Sequence, residues 1–347
     1  MKILFFPFAD FKMGGPRIRV GNIHKELIKR GYNSKIFLPR NKINYFTRYL
    51  NIFKGDILHF QKTVDPVTVM VMFFSKLLKK KIILDVDMNF YEVDIFNVDV
   101  KKIDKIKIRI AQFFLIHASR LADILIVNNR ELKKIAEKYN KNVYLLEGSV
   151  DLKDYKLKKK YEFGKEIVIG WIGNGITHRK NLELLIKPLN VLGKKYKNLT
   201  FRIIGALHNK KLYKSFKEVK NVKLDLIDEI KWDTKIIADN IRKFDIAVAP
   251  LMICKESEAK DLYKVREYMA LGLPFVTSEI GENKYLIKEG QNGFFAKDYE
   301  EWIEKIEKLI RNRKLREKMG KQGRKTIEDN YSMKKITDRF IEIVKIK

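Results

Sequence analysis

Short apolar runs alternate with helical patterns along the first part of the chain. The first run, Lys2 to Pro7, is followed by Gly14-Gly15-Pro16 and by an amphipathic helix that ends at Gly31. This alternation predicts an α/β fold with a parallel, doubly wound sheet. Five further runs of strand length continue the pattern: Lys35 to Leu38, Ile57 to Phe60, Ile82 to Asp85, Ile124 to Val127 and Val143 to Leu146.

The pattern restarts after a polar, lysine-rich segment, Asp151 to Glu166, which lacks periodicity and is predicted to be a linker. A long helix is expected from Leu182 to Tyr196, with a kink at Pro188. We therefore expect two Rossmann-like lobes, residues 1–155 and 156–330, and a final helix over residues 331–347. Strands of the second lobe are predicted at Ile167 to Trp171, Thr200 to Ile204, Val222 to Leu226, Ile246 to Pro250, Phe275 to Thr277 and Gly293 to Ala296.

Composition and charge widen the range of partners. The chain has 347 residues, 46% of them hydrophobic, which is enough for more than one core. Its 73 Lys and Arg residues outnumber 43 Asp and Glu residues and give a formal net charge of +30 at pH 7. Such a charge favours phosphates, anionic lipid or nucleic acid as partners. The lysines are spread along nearly every segment, however, and this spread favours a purely compositional origin.

Cysteine content and hydropathy indicate the cellular compartment in which the protein is expected. The single cysteine, Cys254, excludes an intramolecular disulfide and indicates a reducing compartment. No apolar run reaches the roughly 18 residues that a membrane-spanning helix needs. We therefore expect a cytoplasmic protein, with peripheral association at the inner face of the membrane left open.

Four candidate sites follow predicted strands, at the edge of a parallel sheet where ligands bind. Glycines let a ligand approach the backbone, and cationic side chains suit its phosphates. Each site also has a plain structural interpretation: a glycine turn, a capped helix with solvated charges, or carboxylates that cap the next element. The four are Gly14-Gly15-Pro16-Arg17 with Arg19, Gly173-Asn174-Gly175 with Arg179-Lys180-Asn181, Pro250 to Glu267, and Asp85 with Asp87.

The third of these sites suits a sugar nucleotide. Glu267 lies on the first turns of a short helix that opens beside the loop after a strand. Phosphates would meet the amides near Leu262 and Tyr263, together with the charge of Lys264, while the Glu267 carboxylate reaches ribose hydroxyls. The alternative is a solvated glutamate on a crossover helix.

Other chemistries lack their signatures in this sequence. No G-x-S-x-G, G-x-x-x-x-G-K-[ST] or G-x-G-x-x-G motif occurs, which argues against a hydrolase elbow, a P-loop NTPase and a dinucleotide oxidoreductase. No histidine pair has metal-ligand spacing on one helix, and only His59 and His178 are expected near the candidate sites.

Several segments, in their order and spacing, resemble the GT-B glycosyltransferases of the large retaining group 1 family (glycosyltransferase family 4-like). The resemblance covers nearly the whole chain. It rests on Gly14-Gly15, Ala122 to Asn128, Leu146 to Asp151, Gly173 with Lys180-Asn181, Phe201 to Gly205, Asp245 to Pro250, Glu267 to Ala270 with Gly272 and Pro274, and the ending Gly320, Gly323-Arg324 and Tyr331-Ser332.

The resemblance implies a retaining, metal-independent transferase that moves a sugar from a nucleotide diphosphate sugar to a glycan or lipid-linked acceptor. No cofactor is implied beyond that donor. The donor cleft would lie between the lobes, and the last helix would cross back onto the first lobe. Lys180 and Arg179 would act on the diphosphate and Glu267 on the ribose. The remaining donor-site residues implied are Gly14, Gly15, Gly173, Asn174, Leu262, Tyr263 and Lys264.

Two departures from the family pattern affect the donor site. The family's usual first acid would fall at Ala259, with Glu258 one position away. The arginine that often follows the glycine of the second lobe's first loop is Asn174, which leaves Arg179 as its substitute. A GT-B sugar-nucleotide epimerase and a non-catalytic polyanion or nucleic-acid binder, the latter suggested by the basic and aromatic residues between positions 40 and 54, remain alternatives.

Two stretches of the first lobe combine cations with apolar residues in a way that suits an anionic membrane surface. Lys42 to Lys54 interleaves Tyr45, Phe46, Tyr49 and Phe53 with Arg48. Lys101 to Arg109 places five cations ahead of Phe113 to Ile116. The alternative is a packed helix with a solvated basic face.

Overall fold

Two six-stranded sheets, all parallel, organise the chain, as the alternating pattern predicts. The structure is a computed structural model that describes residues 1–39, 41–62, 65–92, 102–231, 233–261 and 263–345. It divides into two units. Unit 1 comprises Met1–Ser149, Ala259–Asp261 and Met333–Lys347, and unit 2 comprises Val150–Glu258 and Leu262–Ser332.

Unit 1 contains a sheet with the strand order β2-β1-β3-β4-β5-β6. Its strands are β1 (Lys2–Phe6), β2 (Asn33–Ile36), β3 (Ile57–Gln61), β4 (Lys81–Val86), β5 (Ile124–Val127) and β6 (Val143–Leu145). Its helices are α1 (Gly14–Pro16), α2 (Asn22–Lys29), α3 (Lys42–Thr47), α4 (Pro66–Leu77), α5 (Lys102–Leu121) and α6 (Arg130–Ala136), with a π-helix over Arg17–Gly21 and a 3₁₀-helix over Arg48–Lys54.

Local signals set the start of several helices. The Asp65 side chain accepts a hydrogen bond from the amide of Thr68, and Pro66 occupies the first turn of α4. Of the two asparagines considered as caps for α6, Asn129 is the one that accepts from the Leu132 amide. The first helix begins earlier than its pattern suggests, because the chain is helical from Gly14 and passes through the π-turn into α2.

Unit 2 contains a sheet with the strand order β12-β11-β10-β7-β8-β9. Its strands are β7 (Ile167–Ile172), β8 (Leu199–Ile204), β9 (Lys223–Ile227), β10 (Ile246–Ala249), β11 (Phe275–Thr277) and β12 (Phe294–Phe295). Its helices are α7 (Arg179–Glu183), α8 (Ile186–Lys195), α9 (Lys210–Phe216), α10 (Thr234–Ile241), α11 (Lys255–Glu258), α12 (Tyr263–Ala270), α13 (Asn283–Leu286), α14 (Tyr299–Arg311) and α15 (Arg313–Asn330).

Two expectations for this region are wrong. The helix expected to kink at Pro188 is instead two helices, α7 and α8, and Pro188 lies in the first turn of α8, where its missing amide proton costs no helical hydrogen bond. The polar segment predicted as a linker packs into unit 2, because Tyr155 and Tyr161 are buried and the Tyr161 hydroxyl donates to the carbonyl of Gly272.

The last helix, α16 (Met333–Val344), belongs to unit 1. Its apolar stripe packs on the first sheet and on α2, with the Phe340 ring centroid 6.0 Å from that of Phe5. Arg30, directly after α2, donates to Asp338 at 2.6 Å. The chain therefore returns to unit 1 after Ser332, and the stripe at Ile336 and Phe340 is buried there.

Candidate active site

Each sheet has one point where the strand order reverses, and ligands of open α/β sheets bind at such points. In unit 2 the first strand, β7, lies between β8 and β10, so the reversal falls between β7 and β10. Ile169 and Gly170 of β7 pair with Ile246 and Ala247 of β10. The loops that leave these two strands carry most of the candidate donor-site residues.

Gly173, directly after β7, admits the ammonium group of Lys264. A Cβ atom at position 173 would lie 2.9 Å from Lys264 Nζ and 2.8 Å from the Trp171 ring. Lys264 Nζ lies 4.3 Å from the centroid of that buried ring, within the range of a cation–π interaction. The predicted pair Gly173 and Lys264 is therefore brought together, on a tryptophan that holds the lysine in place.

Glu267 is buried rather than solvated. It faces the side of α12 that packs in unit 2, and it is 7% exposed. The Tyr155 hydroxyl donates to Glu267 Oε1 at 2.5 Å. A buried carboxylate is costly unless its lone pairs are used. The structure therefore argues against the solvated-glutamate alternative.

Some polar side chains at the loop between β7 and α7 bond within the protein, and others are exposed to solvent. Asn174 Oδ1 accepts from the amides of Ile176 and Thr177, at 3.0 and 3.1 Å, so this side chain forms the turn. Arg179 pairs with Glu183 one turn along α7, and its role at the diphosphate stays a prediction. Lys180 is exposed, and within the residues that the structure describes it has no ion pair.

Asn181 ties α7 to the loop after β10. Its Oδ1 accepts from the amide of Met252 at 2.9 Å, and its Nδ2 lies 3.1 Å from Nδ1 of His178. This bond joins the two loops that flank the strand-order reversal. Asn181 therefore holds the start of α7, where Lys180 lies, against the loop after β10.

At the start of α12, Tyr263 is the first helical residue, and Leu262 lies outside the described residues. Glu258 does not take the place of the missing acid at Ala259. Its carboxylate accepts from the Gly281 amide at 3.1 Å and from Lys284 at 2.9 Å, and it thereby anchors α11 within unit 2.

In unit 1 the reversal falls between β1 and β3. Gly14 and Gly15 follow β1, but they form the start of a helix rather than a loop. The Asp87 side chain approaches the backbone closely at Gly15, since a Cβ atom there would lie 2.8 Å from Asp87 Oδ2. The glycine thus makes room for a carboxylate of the protein itself.

Arg19 is an internal partner rather than an anion ligand. Its Nε donates to Asp85 Oδ1 at 2.7 Å, and its Nη1 donates to the carbonyl of Leu146 at 2.9 Å. His59, which we expected near a site, is fully buried with Nε2 3.6 Å from Asp85 Oδ2. Burial alone would raise the pKa of Asp85, but the Arg19 charge outweighs it and holds that pKa below its ordinary value.

Asp87, two residues further along the chain, has no ion pair at hydrogen-bond distance in the part of the chain that the structure describes. Among the described residues, its Oδ1 and both polar atoms of Gln61 are buried with no hydrogen-bond partner. Burial raises the pKa of Asp87, although the Arg19 and Lys62 charges act in the opposite direction. Gln61 is the last residue of β3, so these unpaired groups lie at the carboxyl ends of the strands.

A cavity of about 630 Å³ opens beside the loop after β1. Phe8, Asp10, Asn41, Tyr45 and Phe46 are among its lining residues. Phe8 also lies 3.7 Å from the Cβ position of Gly15, the glycine that faces Asp87. Aromatic rings with amide and carboxylate groups are suited to a polyhydroxylated ligand.

Sequence reasoning missed Tyr155, Trp171 and Gln61. Tyr155 stood in the presumed linker, and Trp171 and Gln61 are the last or nearly last residues of their strands. Trp171 and Gln61 could have been found from their positions, because each lies at the end of a strand that flanks a strand-order reversal. These reversals are known only once the order of strands in the sheet is known.

Comparison with known proteins identifies the family. The model of the glycosyl transferases group 1 family matches residues 153–326, half of the chain. Spore coat protein SA of Bacillus subtilis is 30% identical over 100 residues, 28% of this chain and 26% of that protein. The capsular polysaccharide biosynthesis glycosyltransferase CapM of Staphylococcus aureus is 28% identical over 188 residues, 52% of this chain and 47% of that protein.

The fold matches over its full length. The structure of HepE from Anabaena in complex with UDP and glucose superposes with a TM-score of 0.70, covering 100% of both chains at 15% identity. The aligned segments span less than half the length of the two curated relatives. Fold and family model agree, and this chain belongs to the group 1 glycosyltransferases, with the GT-B architecture of two Rossmann-like units.

Proposed function

We propose that this chain transfers a sugar from a nucleotide diphosphate sugar to an acceptor hydroxyl, with retention of anomeric configuration. The observation that carries the proposal is the group at the strand-order reversal of unit 2. There Lys264 rests on Trp171 against Gly173, and the buried Glu267 follows one helical turn later. Family membership supports the same reading.

The proposed roles follow from charge. Glu267 accepts hydrogen bonds from the ribose hydroxyls, and Tyr155 fixes its orientation. Lys264 and Lys180 lie on either side of the reversal and bind the diphosphate. As the bond between the anomeric carbon and the phosphate oxygen breaks, negative charge grows on the diphosphate, and preorganised cations stabilise it.

Retention requires the acceptor oxygen to attack from the face that the diphosphate leaves. The acceptor then forms the new bond to the anomeric carbon, and its proton passes to the departing phosphate oxygen. In this proposal the two lysines supply the countercharge for the leaving group. Transfer is accordingly expected to continue in the presence of a chelator.

Asp87 and Gln61 are proposed to bind hydroxyl groups of the acceptor. Their unpaired buried atoms face no partner in the described part of the chain, and a cavity of about 630 Å³ beside the loop after β1 has room for a sugar unit. CapM acts in capsular polysaccharide biosynthesis, which is consistent with a glycan acceptor for this chain.

Asp87→Asn should therefore weaken transfer while stabilising the fold. Because burial raises the pKa of Asp87, its charge costs stability at neutral pH, and a neutral amide removes a cost of about 1 kcal/mol. We expect roughly fivefold weaker transfer from the lost charged hydrogen bond. Melting temperature and acceptor KM measure the two effects, with exposed Asp329→Asn as the control. A variant less stable than wild type would contradict this placement of Asp87.

Ligand-induced thermal shift tests the donor site. We expect one class among UDP-, GDP- and ADP-sugars to raise the melting temperature, because ligands that bind only the native state stabilise it. The complex of HepE with UDP makes the UDP-sugars the first choice. Lys180→Ala should reduce the shift, whereas Lys318→Ala, an exposed lysine of α15, should not. No shift with any nucleotide, or an equal loss in both variants, would reject the assignment.

A further inference from the structure

The outer side of helix α4 in unit 1 is apolar where a surface helix is ordinarily polar. Its buried positions are Thr68, Met72 and Ser75, whereas Phe73, Phe74 and Leu77 are 51%, 53% and 65% exposed. Lys76 is the single charged residue between Pro66 and Leu77. The helix is therefore apolar on its inner and its outer side, and large apolar side chains remain in contact with solvent.

The apolar side continues onto both neighbouring helices. Right-handed crossovers place α3 with its 3₁₀ extension, α4 and α5 on one side of the sheet, and α2 on the other. Lys80, just after α4, donates to the carbonyl of Phe53, and a cavity of about 470 Å³ lies between α4 and α5. We call this surface the apolar face, formed by Phe53, Met70, Phe73, Phe74, Leu77 and Phe113, each more than half exposed.

Positive charge surrounds the apolar face. Residues 42–54, 66–81 and 102–121 contain twelve Lys or Arg residues and a single acid, Asp104. Lys54 and Lys79 are exposed at its edge, and Arg120 lines the cavity. Not every predicted residue takes part: Arg48 and Tyr49 are buried, and Lys101 lies outside the described residues.

We infer that the apolar face docks unit 1 on an anionic lipid bilayer. Aromatic and aliphatic side chains would enter the headgroup region while Lys54, Lys79 and Arg120 meet lipid phosphates. A second copy of the chain fits this surface less well, because a self-complementary contact would bring two basic rims together. No helix in the described ranges is long and apolar enough to span a bilayer, so the contact is with the membrane surface.

This inference adds a location to the proposed function without depending on it. The proposed donor residues Lys180, Lys264 and Glu267 belong to unit 2, whereas the apolar face belongs to unit 1. Donor-induced thermal shift and vesicle binding are thus separate readouts, and either can fail while the other succeeds.

Vesicle co-sedimentation of the full chain tests the inference. We expect binding to phosphatidylcholine vesicles to rise when phosphatidylglycerol is added and to fall at high salt. The variant Phe73→Ser with Phe74→Ser should lower the partition coefficient roughly tenfold, because two half-exposed rings no longer insert. Lys54→Glu with Lys79→Glu should weaken binding only to the anionic vesicles.

Matched controls come from α2, on the other side of the sheet. Ile28→Ser removes an equally exposed apolar side chain, and Lys29→Glu reverses an exposed charge, and neither should change vesicle binding. Unchanged melting temperatures show that all variants fold. Failure to sediment with anionic vesicles at low salt would overturn the inference. So would a wild-type dimer, seen by sedimentation velocity, that Phe73→Ser with Phe74→Ser dissociates.

Discussion

Glu267→Ala is expected to lower kcat/KM for the donor at least tenfold, a loss of about 1.4 kcal/mol of transition-state stabilisation. The carboxylate is buried and accepts a hydrogen bond from the Tyr155 hydroxyl, so the protein rather than solvent fixes its orientation. Alanine removes the acceptor for the ribose hydroxyls altogether. Steady-state transfer at several donor concentrations measures the effect.

Two companion variants separate binding from folding. Glu267→Gln keeps an oxygen for the Tyr155 hydroxyl but removes the charge, so it should retain the melting temperature and still lose donor affinity. Tyr155→Phe leaves the carboxylate in place without its orienting bond and should raise the donor KM with a smaller change in kcat. Turnover of Glu267→Ala near the wild-type value, in a folded protein, would refute the donor-site assignment.

Arg19→Met is expected to destabilise unit 1 by about 3–5 kcal/mol, because it leaves a buried carboxylate without its countercharge. Arg19 and Asp85 are almost fully buried and bonded at 2.7 Å, and His59 Nε2 lies 3.6 Å from the other carboxylate oxygen. Urea unfolding at neutral pH, compared with wild type, gives the difference in the free energy of unfolding.

The double variant Arg19→Met with Asp85→Leu should recover much of that loss, since it removes the stranded charge together with its partner. Lowering the pH should reduce the free energy of unfolding, as Arg19→Met does. The folded pKa of Asp85 is depressed, so its stabilising contribution is present above the unfolded value and is lost as pH falls through the folded pKa. A double variant as unstable as Arg19→Met would show that packing, not charge, dominates at this site.

The fold could be predicted from the sequence because its signals are local. Runs such as Ile124 to Val127 and Ile246 to Ala249 are apolar and of strand length, and both form interior strands of their sheets. Caps such as Asn129 act within one helical turn. The prediction at Pro188 is wrong because proline is compatible both with a kink inside a helix and with the first turn of a new helix. The helical pattern is interrupted between Glu183, where α7 ends, and Ile186, where α8 begins.

The chemical environment of the candidate site could be predicted only in part. Glu267, Gly173 and Lys264 were named from their position after strands, and the structure brings Gly173 and Lys264 together. The sequence predicts Arg19 as an anion ligand, whereas in the structure it pairs with Asp85. The two residues are 66 positions apart, so no local sequence signal indicates this pairing. Whether a charged side chain can bind a ligand or is already paired within the protein becomes clear only from the tertiary contacts.

The most direct measurement of the central claim is ³¹P NMR of the full chain with UDP-, GDP- and ADP-sugars and a panel of alkyl glycosides as acceptors. The proposal predicts that one donor loses its sugar and releases free nucleoside diphosphate, that acceptor accelerates the release, and that Glu267→Ala slows it at least tenfold, about 1.4 kcal/mol. It would be contradicted if every donor kept the bond between its anomeric carbon and the phosphate oxygen, including a donor recovered with an epimerised sugar, or if Glu267→Ala released nucleotide as fast as wild type.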